Sequence, residues 1–148
     1  MKPVELSVVI NRPLEECFAY LADLSNDLEW RREWIEAEKT TNGPHGVGAR
    51  YRLTGTLLGR RINTVYETIA YEPNRQAAWT AVSGPLPLNF SRAFEAVEGG
   101  TRVTMRYWGD GGFLKLGGPL VAGIGRRQYE GDFPKLKAIL ETQPAAGA

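Results

Sequence analysis

The sequence predicts an α+β domain, a curved antiparallel β-sheet wrapped around a long C-terminal α-helix, with an internal apolar cavity between them. Three observations carry this expectation. Between Trp34 and Asp110 the chain reads as period-2 runs rich in Val, Ile, Thr and Tyr, interrupted by short glycine-containing turns. Strands joined by such turns must be antiparallel neighbours, because a parallel connection needs a crossover of a dozen or more residues. Beyond them only Pro119–Glu141 is long enough to cover a sheet, at about 35 Å if helical throughout.

The elements follow in order. Val4, Leu6, Val8 and Ile10 alternate with Glu5 and Ser7 and read as a first strand. Pro13 suits a first helical turn, Glu15 and Glu16 favour its positive dipole end, and Leu14, Cys17, Phe18 and Leu21 form the buried stripe. Asn26 and Asp27 interrupt that helix, leaving room for a short second one over Leu24–Trp30. The six strands of the meander are Ile35–Thr41, Ala49–Leu58, Ile62–Tyr71, Gln76–Ser83, Leu86–Val97 and Thr101–Trp108. In the last helix Tyr129, Phe133, Leu136 and Leu140 make a core-packing stripe. Pro134 interrupts it, so one kinked helix is expected rather than two helices with Asp132 as a cap. Residues 1–143 form one domain on this reading, and 144–148 are a flexible tail.

Composition excludes several function classes. Eighteen Lys and Arg against seventeen Asp and Glu leave a formal charge of +1, so nothing global favours nucleic acid. Arg31, Arg32, Arg50, Arg52, Arg60 and Arg61 read as a solvated outer face. The opening MKPVELSVVINRP enters an alternating pattern at once and reads as structure, not a signal peptide, so a cytoplasmic protein is expected. The one cysteine, Cys17, sits on a core-facing stripe. The one histidine, His45, lies in a Gly/Pro-rich turn and reads as solvated, so neither a zinc site nor a nucleophilic site is expected.

The stretch GGFLKLGGPLVAGIGRRQ, residues 111–128, is apolar yet rich in glycine. Gly123 and Gly125 supply GxG, but Gln128 stands where GxGxxG needs its third glycine, and no GK[ST] follows. Phe113–Ile124 is too short for a membrane span and is broken by Lys115 and Pro119. No cofactor and no membrane insertion are therefore expected. Small residues at one end of a helix whose other end is packed leave space beneath it, so this stretch reads as a pocket wall or gate.

The tracts PLEECFAYLAD and LSNDLEW, the Tyr71–Pro73 YEP turn, the hairpin FEAVEGGTRVTMRY and the terminal LKAILE together resemble the START-like (SRPBCC) superfamily, nearest its polyketide cyclase/dehydrase branch. The resemblance spans nearly the whole chain and implies the helix-grip fold around an apolar cavity. It also implies a hydrophobic small-molecule partner, and it does not select among the carriers, receptors and cyclases of the superfamily. The metal-bearing ring-hydroxylase branch is disfavoured, because its pair of histidines is missing.

Strand parity nominates the ligand-binding residues. Tyr51 and Leu53 face inward opposite Arg50 and Arg52, and Tyr107 faces inward with Val103 and Met105. Phe90, Arg92 and Phe94 share a face, which aims Arg92 at the cavity as an anchor for an acidic ligand unless it pairs with Glu67 or escapes at the rim. Leu120 and Ile124 complete the lining from the helix. The parity of Tyr66 and Glu67 stays ambiguous, and Trp34 and Trp79 either wall the pocket or fill core. Two functions are carried forward. One is a carrier or sensor of a lipid, polyketide or isoprenoid-like molecule, as monomer or homodimer. The alternative is a polyketide cyclase/dehydratase, against which stands the lack of an identifiable acid/base pair.

Overall fold

The computed structural model describes residues 3–57, 59–85, 87–109 and 118–142. The chain runs β1 (Val4–Ile10), α1 (Leu14–Leu21), a 3-10 helix (Leu24–Glu29), β2 (Trp34–Lys39), β3 (Arg50–Leu57), β4 (Arg60–Glu72), β5 (Gln76–Ser83), β6 (Leu88–Val97), β7 (Gly100–Gly109) and α2 (Gly118–Thr142). All seven strands join one antiparallel sheet in the order β1-β7-β6-β5-β4-β3-β2. The first strand therefore returns to pair with the last, and the sheet curls around α2. The expected tail, 144–148, and the first part of the expected gate, 111–117, lie outside the described residues.

Local chemistry accounts for the elements. Pro13 occupies the cap position of α1, and Cys17, Phe18, Tyr20 and Leu21 are its buried residues. The short second helix is of the 3-10 kind. Asp23 caps it by accepting from the Ser25 N–H at 3.0 Å, and the polar Ser-Asn-Asp run that follows favours such turns over α-helix. At the β6–β7 turn, Gly100 has φ +133 and a side chain there would collide with the Ile10 carbonyl, so only glycine lets β1 pass this close.

Helix α2 runs unbroken through Pro134. Its continuity has a visible reason. Asp132, the alternative cap for a separate helix, is buried and takes Arg31 and Arg32 on its two oxygens. Tyr129, Phe133, Leu136 and Leu140 are all buried, as their spacing predicts. The helix is also tied to the first strand and the segment after it, by Lys137 Nζ donating to the Val9 carbonyl and the Asn11 N–H donating to Glu141.

Inward and outward faces of the later strands follow parity. Val103, Met105 and Tyr107 are buried, and so are Phe90, Arg92 and Phe94. The β5–β6 and β6–β7 registers run without a shift across Leu88–Arg92, so no bulge turns Arg92 outward. Tyr66 resolves inward with Thr64 and Thr68, while Glu67 faces out and pairs with Arg50 at 2.8 Å.

Candidate functional site

Between α2 and the concave sheet face lies a cavity of about 90 Å³. Its apolar walls are Trp34, Leu53, Ile62, Leu88, Phe90 and Ile124. Its polar end is made by Asp27, Arg31 and Glu33, and Tyr66, Tyr107, Gln128 and Tyr129 also line it. The concave sheet face supplies most of the walls, and the polar end comes from the 3-10 helix and the four residues that follow it.

Two glycines shape the cavity. At Gly55 a Cβ would sit 2.5 Å from the Trp34 ring and 2.6 Å from the Glu33 carbonyl, so glycine alone lets β2 enter the sheet flat against β3. The register shift between Trp34 and Glu36 lies at the same point and sets the facing of Glu33 and Trp34. At Gly125 a Cβ would meet the Tyr107 hydroxyl at 2.9 Å. The missing side chain admits Tyr107, whose hydroxyl donates to the Ala122 carbonyl at 2.6 Å and holds the glycine-rich half of α2 to the sheet.

Electrostatics at the polar end are dominated by buried ion pairs. Arg92 donates from both terminal nitrogens to Asp27, at 2.9 and 2.6 Å, and to the Leu21 carbonyl at 2.8 Å. Its guanidinium also lies 5.5 Å from the Trp30 and Trp79 ring centres. Arg31 donates from Nε to Asp132 at 3.2 Å, pairs with Glu33 through its Nη2, and lies over the Tyr129 ring at 3.7 Å.

Burial pushes the Glu33 carboxyl above its ordinary value; Asp132 and Asp27 add to the shift, and Arg31 opposes it. Burial likewise raises the Tyr66 phenol, which therefore stays a hydrogen-bond donor at neutral pH. The Glu33 shift fixes a sign. The folded protein holds this proton to higher pH than the unfolded chain, so stability falls as pH rises from the ordinary glutamate range through the raised value. Glu33→Gln is expected to remove this slope. Urea midpoints measured from about pH 4 to pH 7 should then show the variant gaining on the wild type as pH rises. Parallel curves would show that Glu33 titrates as it does in the unfolded chain.

Of the residues nominated by parity, Leu53, Phe90, Tyr107 and Ile124 line the cavity. Three corrections apply. Tyr51 is buried, but its hydroxyl turns away to His45 Nδ1 at 2.5 Å, outside the cavity lining. Arg92 faces inward but its two terminal nitrogens are taken by Asp27, not by a ligand or Glu67, and it lies outside the cavity lining. Leu120 is 62% exposed and lies outside the cavity lining. Two further readings change. His45 is not merely solvated: besides Tyr51 it reaches Asp23, with Nε2 3.6 Å from the carboxylate. Arg31 is not on the outer face but 4% exposed, unlike Arg50, Arg52, Arg60 and Arg61. Cys17 is core, its thiol pushed up by burial.

Asp27, Arg31 and Glu33 were missed as site residues. The one signal was their setting, charged residues interleaved with tryptophans in DLEWRREW. Among the described residues no group of three or more His, Cys, Asp or Glu could hold a metal ion, and no helix is long and apolar enough to cross a membrane.

Comparison with known proteins fixes the family. The profile described as "Polyketide cyclase / dehydrase and lipid transport" matches residues 1–141. The chain belongs to that family. No curated protein matches it in sequence. Among solved structures it is similar to the Zhui aromatase/cyclase of Streptomyces sp. R1128, with a TM-score of 0.78 at 16% identity over 99% of this chain and 98% of that one. It is similar also to TTHA0849 of Thermus thermophilus, with a TM-score of 0.75 at 18% identity over 93% and 95% of the two chains. Ara h 8.0201 gives 0.69 at 14% identity over 96% and 99%. At such identities these likenesses establish the helix-grip fold, and the family supports hydrophobic ligand binding or a cyclase-type role.

Proposed function

We propose that the protein binds a hydrophobic, ring-containing small molecule in the cavity beneath α2, as a carrier or sensor. The observation that carries this reading is a cavity with apolar and aromatic walls and a compact polar end, the combination that gives a small-molecule site both affinity and orientation. Leu53, Phe90, Tyr107 and Ile124 supply contact surface. An apolar cavity of about 150 Å³ takes one benzene, so the 90 Å³ here encloses only part of a ring and the rest of a ligand extends towards the mouth. The test is thermal unfolding with two-ring aromatic compounds. Binding to the folded state alone raises Tm with the logarithm of ligand concentration, and a Tm that does not move with any of them rejects the reading.

A second reading, cyclase/dehydratase chemistry, is favoured by one observation: a mostly buried carboxyl, Glu33, with its pKa raised by burial in an aromatic-lined cavity. Ionised, it would take a proton from a carbon between two carbonyls. The electron pair would move onto the carbonyl oxygen, where the Tyr66 hydroxyl donates, and the enolate would attack a second carbonyl of the same chain. Proton return and loss of water complete the balance without an oxidant. In this reading Glu33→Gln abolishes turnover of a poly-β-keto thioester while the variant still binds it; undiminished turnover rules the step out.

A further inference from the structure

The charged groups at the polar end constrain what the cavity accepts. Asp27, Arg31 and Glu33 are the ionisable acids and bases among its described lining residues, two carboxylates to one guanidinium. Of that guanidinium, Nε is on Asp132, Nη2 on Glu33 and its face on Tyr129, which leaves Nη1 without a hydrogen bond among the described residues. Arg92, behind Asp27, has both terminal nitrogens on that carboxylate and only Nε left over, outside the cavity lining. An entering carboxylate would meet two like charges, and the one nitrogen open to it, Arg31 Nη1, belongs to a guanidinium already shared by two carboxylates.

Two further groups are left over, and they are of another kind. Glu33 uses Oε1 for Arg31, and its Oε2 carries no hydrogen bond among the described residues. The Tyr66 hydroxyl, which lines the same cavity, has no hydrogen-bond partner among them either. One free acceptor and one free donor are what a hydroxyl group needs, since it donates once and accepts as well.

We infer that the cavity selects an uncharged hydroxyl-bearing ring, a phenol or enol, over the corresponding carboxylate, and that Glu33 is the residue that makes the choice. The hydroxyl donates to Glu33 Oε2 and accepts from Tyr66, while the ring lies against Phe90 and Leu53. This rests on the cavity being the ligand site and adds the class of polar group that it reads.

The experiment compares 2-naphthol, naphthalene and 2-naphthoate by calorimetry on the full chain. The naphthol is expected to bind about tenfold or more tighter than either of the others, as a hydrogen bond to a charged acceptor should give. Glu33→Gln should shrink that advantage to about threefold or less and strengthen naphthoate relative to wild type, because a like charge is gone. Tyr66→Phe supplies an independent arm: it should weaken naphthol and leave naphthalene unchanged, and it carries the test if the Gln variant does not fold. Naphthoate binding as tightly as naphthol, or a ranking unaltered in either folded variant, overturns the inference while leaving the cavity reading intact. Failure of all three compounds to bind overturns both.

Discussion

Arg92→Leu is expected to lower stability by about 3–5 kcal/mol and Tm by roughly 10–15 °C, because it leaves Asp27 charged and unpaired in the interior. Both partners are nearly inaccessible, with side chains 1% and 3% exposed, so solvent cannot take over the lost partner's role. The bidentate pair also pins the 3-10 helix to β6 through Asp27, and the bond to the Leu21 carbonyl ties in the end of α1, so its loss loosens the polar end of the cavity. Asp27→Asn should cost a similar amount by stranding the guanidinium. The double replacement Arg92→Leu with Asp27→Leu should recover much of the loss, since it strands no charge. Urea unfolding of the three variants is the measurement. Single variants within about 1 kcal/mol of wild type would show that water reaches the pair. The role differs from the anchor expected of this arginine: its removal should weaken acidic and neutral ligands alike, through loss of structure.

Ile124→Trp is expected to abolish ligand binding, by tenfold at the least, or about 1.4 kcal/mol, while leaving the fold in place. Ile124 is only partly buried and projects from the less tightly packed half of α2, so a larger ring there enters the cavity before it meets core. The same substitution at Leu120 serves as the control. That residue is exposed, and tryptophan there should change neither binding nor stability. Thermal shifts with and without 2-naphthol separate the outcomes. Unaltered binding by folded Ile124→Trp would place the ligand elsewhere, and equal loss at both positions would mean that the start of α2 matters as a whole.

Much of the architecture was legible because it rests on periodicities of two kinds. Tyr129, Phe133, Leu136 and Leu140 could be assigned to the core from spacing alone, and Val103, Met105 and Tyr107 to the inner face from alternation, since burying an apolar stripe leaves each side chain one side to occupy. Parity even sent Arg92 inward correctly. It could not say what Arg92 would meet there. Asp27 is 65 residues away in the chain and reaches it only because a 3-10 turn presents the carboxylate over β6. Parity also says nothing of how far a cavity extends along a strand, which is why Tyr51 and Leu53, two residues apart on one face, end in different surroundings.

By itself the sequence determined the order of elements, the antiparallel sheet, the covering helix and the apolar character of the space between them. These depend on local propensity, on turn length and on which residues avoid water. Only the tertiary structure decided the chemistry at the polar end. The burial of Arg31, the raised carboxyl of Glu33 and the pairing of Arg92 each follow from desolvation and from partners distant in the chain. A charged residue in a turn carries no mark of whether water or another charge will face it. The protein therefore declares its apolar cavity in its pattern, while the charged groups at one end of that cavity are placed by contacts that exist only once the chain has folded.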